Sequence, residues 1–283
     1  MLASIVSFAP AQQPESRQQV PLWFGEPPGQ GGDGPGDVPE LLITRAQSDQ
    51  PTAGVVILPG GGYRGHAIGH EGHEIADWMK SLGITSGICT YRLGGKGNDG
   101  KGYRHPVPMI DAQRAIQTMR AGAKELGIDP KRIGVIGFSA GGHLASTVST
   151  HFAVIDKSSP DPVNHVSSRP DFCILAYPVI TLKQPHTHAG SRKNLLGQDP
   201  ALELVNSLCN DQQVSSETPP TFLMHTAEDT VVPVQNSILY YQACLQHGVP
   251  VEMHLFQEGR HGVGLAKQFP GVSQWPELCQ QWL

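Results

Sequence analysis

The sequence predicts an α/β protein built on one mostly parallel sheet with helices on both faces. Three observations carry that prediction. Short apolar runs alternate with segments of helical periodicity from residue 41 to the C-terminus, the pattern of strands joined by crossover helices. Glycine clusters stand where several of those runs end, as in "VVILPGGGYRG" and "RIGVIGFSAGG". The length of 283 residues fits one large α/β domain with a sizeable core.

The elements follow in order. Residues 1–40 read as an N-terminal tail and a Gly/Pro-rich arm, "GEPPGQGGDGPGDVP" over 25–39, too poor in apolar residues to pack a core. "ELLITRA" and "GVVILPG" are strands, residues 71–82 a helix and "ITSGICTY" a strand. Residues 107–126 form a helix with Ala112, Ala115, Ile116, Met119, Ala123 and Leu126 on one face, and Gly127 stops it. "RIGVIGF" is a buried strand and residues 140–151 a helix. "DFCILAYP" and "TFLMHTA" are strands. Residues 234–247 form a helix with Val234, Ile238, Tyr241 and Leu245 as its apolar stripe. "VEMHLFQ" is the last strand and residues 273–283 the last helix. Residues 179–219, with "TLKQPHTHAGSRKN", break the rhythm and read as a small polar insertion over one end of the sheet. Residues 41–283 are thus one domain.

Bulk properties exclude several functions. The net charge is −5 with no run of Lys or Arg, which argues against nucleic-acid or anionic-membrane partners. No stretch approaches the roughly 20 apolar residues of a membrane span. The five cysteines are widely spaced and read as buried free thiols. "LASIVSFA" before Ala9-Pro10-Ala11 resembles an export signal that lacks its basic n-region. A periplasmic or secreted location is the expectation, a cytoplasmic one the alternative.

Chemistry enters at Gly137-Phe138-Ser139-Ala140-Gly141. In open α/β sheets functional residues lie beyond the carboxyl ends of the strands. A serine there, between two residues without bulk, sits on a sharp strand-to-helix turn. The helix that follows offers free N–H groups to an oxyanion. Serine at its ordinary pKa needs a base, and the base a carboxylate. Downstream, "TFLMHTAEDTVVP" carries a strand into Glu228 and Asp229, and "VEMHLFQEGRHGVG" carries the last strand into His261. Both loops point to the same edge as Ser139. Asp229 is favoured over Glu228 because it stands at the turn before the next helix. His261 is favoured over His143, His186, His188, His225 and His254 because it alone ends the last strand in a Gly-flanked loop. The oxyanion donors are the N–H of Ala140 and that of Gly61 or Gly62. The loop Gly94–Gly102, "GGKGNDGKG", is expected to be a mobile rim on the same side.

Competing readings are weaker. Gly60 to Gly65 fits G-x-G-x-x-G, but the next strand ends in Thr90, Tyr91 and Arg92 rather than an acidic residue. "HAIGHEGHE" lacks the H-E-x-x-H order of a zinc site. No cofactor and no metal are expected. Asp111 opens a helix and reads as structural. The four tryptophans lie outside the loops of the site, which leaves no sugar-stacking platform.

With these residues assembled, the chain resembles the α/β-hydrolase superfamily, and within it the acetyl-xylan-esterase and feruloyl-esterase-like branch related to hormone-sensitive lipase. "LPGGGYRG", "YRL", "HPVPMIDAQRAI", "RIGVIGFSAGGHLAS", "YPVI", "HTAEDTVVPVQNS" and "EGRHGVGLA" carry the resemblance over nearly the whole chain. Pro59 stands where lipase-like relatives have histidine. The resemblance implies an α/β-hydrolase fold, Ser139, Asp229 and His261 as triad, Gly61, Gly62 and Ala140 as oxyanion hole, and a small ester or acetylated saccharide such as acetylated xylan as substrate. A peptidase of the same fold is the alternative, though 283 residues leave no room for the large extra domain such enzymes carry. A non-catalytic carbohydrate-binding protein is the other. The stripe-free, polar first half of the insertion predicts a short acyl group.

Overall fold

The computed structural model describes residues 17–153 and 155–283. The export reading of the first residues lies outside them. In chain order the strands are β1 (Gln18–Pro21), β2 (Glu40–Thr44), β3 (Thr52–Leu58), β4 (Thr85–Cys89), β5 (Ile128–Phe138), β6 (Cys173–Ala176), β7 (Thr221–Thr226) and β8 (Val251–Phe256). The α-helices are α1 (Glu74–Ser81), α2 (Val107–Ala121), α3 (Ala123–Leu126), α4 (Ser139–Thr150), α5 (Ala189–Leu196), α6 (Leu202–Ser207), α7 (Gln235–Gln246) and α8 (Trp275–Trp282).

The strands form one sheet in the order β1-β2-β4-β3-β5-β6-β7-β8. β1 and β2 pair antiparallel, β2 meets β4 antiparallel, and every pair from β4 to β8 is parallel. Side chains that alternate along a strand divide the core in two. Val56, Leu58 and Val135 face α2, α4 and α7, whereas Val55, Ile57 and Ile136 face α1 and α8. All five cysteines are buried and free.

Five expectations are corrected. The sheet starts before residue 41, because β1 lies in the stretch read as a tail. The Gly/Pro-rich arm is also docked: Asp37 is buried and accepts hydrogen bonds from the N–H of Gly34, the N–H of Asn98 and the Tyr103 hydroxyl. Those bonds tie the arm to the 94–102 loop. That loop is packed rather than free, since a Cβ on Gly97 would lie 2.7 Å from Gly36 O and one on Gly94 2.0 Å from Asn194 O. The insertion is polar only on its outside. Val179, Ile180, Leu182, Leu195, Leu196, Val205, Leu208, Cys209 and Val214 are buried in the larger core cluster.

α7 shows the fifth correction. Leu245, placed on its apolar stripe, is exposed, and the buried face carries Asn236, Ser237, Tyr240, Ala243 and Cys244. The polar pair is buried because it is matched. Asn236 Oδ1 accepts from the N–H groups of Ile180 and Thr181 at 2.8 and 3.1 Å, and Ser237 Oγ pairs with His225 Nδ1 at 2.8 Å. Asp111 is structural as expected, for a stronger reason than a helix dipole: it holds Arg92 in a buried bidentate pair at 2.7 and 2.9 Å.

Candidate active site

The turn from β5 into α4 is set by close packing. Ser139 has φ +52°, a left-handed conformation that non-glycine residues adopt only when the surroundings dictate it. Both flanking glycines are sterically required. A Cβ on Gly137 would lie 2.3 Å from Gly141 O, and a Cβ on Gly141 2.1 Å from Leu58 O at the end of β3. Ser139 therefore stands at the carboxyl edge of the sheet, at the start of α4, where the N–H of Ala140 has no intrahelical acceptor.

Ser139, His261 and Asp229 come together in one hydrogen-bond chain. Asp229 Oδ2 lies 2.6 Å from His261 Nδ1. An ionised carboxylate only accepts, so Nδ1 carries the proton and Nε2 is left as an acceptor. Nε2 lies 2.7 Å from Ser139 Oγ, so the serine hydroxyl donates to it. The Tyr177 ring meets the imidazole edge-on at a centroid distance of 5.1 Å. Glu228, the competing carboxylate, is turned away and accepts instead from the Gly259 N–H at 3.4 Å.

Asp229 is held ionised by its partners. Burial pushes its pKa up, but hydrogen bonds from His225, His261 and the Val232 N–H outweigh burial and take it well below the ordinary aspartate range. Its Oδ1 accepts from the N–H groups of Val231 and Val232, both at 2.9 Å. His225 Nε2 donates to Val232 O at 3.0 Å and lies 3.3 Å from Asp229 Oδ2. His225 lies inside β7. It is fully buried, and it also backs the carboxylate.

The loop after β3 lies against the serine: a Cβ on Gly60 would sit 2.9 Å from Ser139 Cβ. Gly61 and Gly62 have φ of +129° and +65°. Among the described residues neither N–H donates to an acceptor, so both are free for a ligand, and the alternative between them stays open. Sequence reasoning missed what fixes this loop. Glu71 Oε2 accepts the Gly60 N–H at 2.8 Å, and Oε1 accepts the Tyr177 hydroxyl at 2.9 Å. Tyr177 Oη in turn accepts the Gly264 N–H at 2.9 Å, three residues past His261. One buried carboxyl thus joins the Gly60–Gly62 loop to the loop that carries His261. Burial raises the pKa of Glu71. A signal was available in Glu71 of "GHEGHE", but its partners are 11 and 106 residues away.

These groups open into a cavity of about 440 Å³ that Ser139, His261, Gly61 and Gly62 line together with Arg64, His70 and Val231. His188, Gly190 and Asn194 of the insertion close one wall. Among the described residues no tryptophan lines it. Of the rival histidines, His143 is buried against Tyr63 Oη at 2.8 Å, and His254 pairs with Glu252 at 2.7 Å on β8.

A mostly parallel eight-stranded sheet with a Gly-Phe-Ser-Ala-Gly turn after its central strand is an α/β-hydrolase fold. Within that class, the BD-FAE family model matches residues 42–244, and the chain belongs to this family. It is 45% identical to an acetyl ester-xyloside bifunctional hydrolase from Caldicellulosiruptor lactoaceticus over 94% of both chains, with a TM-score of 0.87. It is 34% identical over 235 residues to an acetylxylan esterase from Xylanibacter ruminicola, covering 81% of this chain and 45% of that protein. It is 33% identical over 231 residues to endo-1,4-beta-xylanase B from Butyrivibrio fibrisolvens, covering 82% of this chain and 35% of that protein. The chain spans less than half the length of these two curated relatives.

Proposed function

We propose that the protein is a serine carboxylesterase that removes short acyl groups, acetyl above all, from acetylated carbohydrates such as xylan. The observation that carries this reading is the unbroken chain Ser139–His261–Asp229 opening into the cavity. Ser139 Oγ attacks the acyl carbonyl while His261 Nε2 takes its proton. The oxyanion accepts from the N–H of Ala140 and that of Gly61 or Gly62. Collapse expels the alcohol, which takes the proton from His261, and leaves an acyl-enzyme. Water, activated by the same imidazole, releases the acid. Asp229 holds the tautomer and stabilises the imidazolium. None of these steps calls for a cofactor.

Two further observations support the substrate class. Ala67 and Val231 are the only apolar side chains on the cavity wall among the described residues, which suits a small acyl group. The similar proteins named for acetyl ester and acetylxylan hydrolysis support a carbohydrate ester. A glycosidase reading would need two facing carboxylates. Among the described residues Glu71 is the only carboxylate lining the cavity, and it is committed to Gly60 and Tyr177.

The test is direct. The protein should release acetate from acetylated xylan and label rapidly with a fluorophosphonate, and Ser139→Ala should do neither. Labelling that survives Ser139→Ala would refute the nucleophile. Peptide turnover without ester turnover would favour the peptidase alternative.

A further inference from the structure

An acetyl group carries one hydrogen-bond acceptor that matters, its carbonyl oxygen, and backbone N–H groups already serve it in the proposed reaction. The cavity holds a further donor. His188, just before α5, caps that helix: its Nδ1 accepts the Ser191 N–H at 3.3 Å and lies 2.8 Å from Ser191 Oγ. With Nδ1 occupied as an acceptor, a neutral imidazole carries its proton on Nε2. Burial first, and then His261 nearby, hold the His188 pKa below the ordinary histidine value, so the ring stays neutral at neutral pH.

The ring lies close to two glycines. A Cβ on Gly190 would lie 3.2 Å from its Cε1 and 3.5 Å from its Nε2, and a Cβ on Gly62 3.9 Å from Cε1. His188 therefore sits beside the oxyanion loop. Among the described residues Nε2–H meets no acceptor. Arg64, a cationic donor, lines the same cavity. A half-buried, oriented donor without a partner, in a cavity that faces the serine, matches an oxygen-rich ligand.

We propose that His188 is a specificity-determining residue whose Nε2–H hydrogen-bonds an oxygen of the alcohol half of the ester, a hydroxyl or ring oxygen of the sugar that leaves. The acyl half has no second acceptor to offer, so the alcohol half is the one that can use this donor. The inference rests on the carbohydrate-esterase reading above and assigns that substrate a point of contact.

The experiment compares kcat/KM on an acetylated xylo-oligosaccharide with kcat/KM on p-nitrophenyl acetate, whose leaving group has no hydroxyl. His188→Asn keeps a side-chain acceptor for the Ser191 N–H and so preserves the start of α5, but its amide is too short to reach the Nε2 position. His188→Gln puts an N–H close to that position. The ratio of the two kcat/KM values should fall about tenfold in His188→Asn, the scale of one hydrogen bond, mainly through KM for the oligosaccharide. His188→Gln should recover part of it. An unaltered ratio in His188→Asn overturns the proposal. So does an equal loss on both substrates, which would place His188 in service of the acyl half. Wild-type protein that cleaves p-nitrophenyl acetate but no acetylated saccharide would instead overturn the carbohydrate reading, before any variant is compared, and this inference with it.

Discussion

Gly141→Ala is the sharpest test of the elbow. The added Cβ would lie 2.1 Å from Leu58 O and 2.6 Å from Pro59 O. Both are backbone atoms: Leu58 is the last residue of β3, and Pro59 O accepts the Tyr91 hydroxyl at 2.6 Å, so neither can rotate aside. Comfortable contact is about 3.5 Å, so α4 must withdraw by more than 1 Å. Overpacking of this kind costs about 3 kcal/mol, the upper end of the usual range, because no side chain can yield. At about 2.1 cal/mol/K per residue the unfolding entropy of such a chain is about 0.6 kcal/mol/K, so Tm should fall by about 5 °C. The catalytic loss should be larger in proportion. Ser139 precedes Gly141 by two residues and moves with α4, while Gly61 and Gly62 stay with β3. A misplacement of about 1 Å between nucleophile and oxyanion donors costs about 100-fold in rate. The assay is kcat on p-nitrophenyl acetate beside a thermal melt. A variant that melts and turns over like the wild type would refute the steric account of the second glycine.

Three other outcomes are expected. Ser139→Ala and His261→Ala should each lower kcat by several orders of magnitude, and the double variant should be little worse because the residues act as a unit; near-normal ester hydrolysis by Ser139→Ala would refute the mechanism. Across p-nitrophenyl esters from acetate to palmitate, kcat/KM should fall beyond about four carbons, since a wall with, among the described residues, only Ala67 and Val231 as apolar groups forgoes the roughly 0.8 kcal/mol that each buried CH₂ can contribute; a maximum at eight carbons or more would reveal an apolar groove. Asp229 has a folded pKa depressed below the ordinary 3.8, so its contribution to stability is present above that value and is lost as pH falls through the folded value. The Tm advantage of wild type over Asp229→Asn should therefore shrink below about pH 4, where aspartate begins to protonate in the unfolded chain, and parallel melting curves from pH 2 to 7 would contradict it.

The Glu71–Tyr177 bridge has a place in this picture. It fixes the Gly60–Gly62 loop through Gly60 and the His261 loop through Gly264, so two loops from opposite halves of the chain share one buried carboxyl. Such networks are costly when half satisfied. Here every described contact is matched, which suits a site whose donors must be in place before substrate arrives.

What the sequence determined by itself is what local sterics and periodicity encode. Apolar runs alternating with helical stripes specified the sheet and its covering helices, and the strand-glycine-serine-glycine-helix order specified the elbow, because backbone conformation and side-chain bulk act within a few residues. The order Ser139, Asp229, His261 at the ends of β5, β7 and β8 was legible for the same reason: parallel strands deliver their carboxyl ends to one edge. What only the tertiary structure decided is the pairing of polar groups far apart in the chain. The buried face of α7 turned on Asn236 finding the N–H groups of Ile180 and Thr181, which no count of apolar residues could weigh. The arm over 25–39 packs because Asp37 meets Asn98, 61 residues on. His225 behind Asp229, Glu71 beneath Gly60 and His188 beside Gly62 are each ordinary in sequence. A buried polar group is tolerable only when its partner is present, and the partner is supplied by the fold.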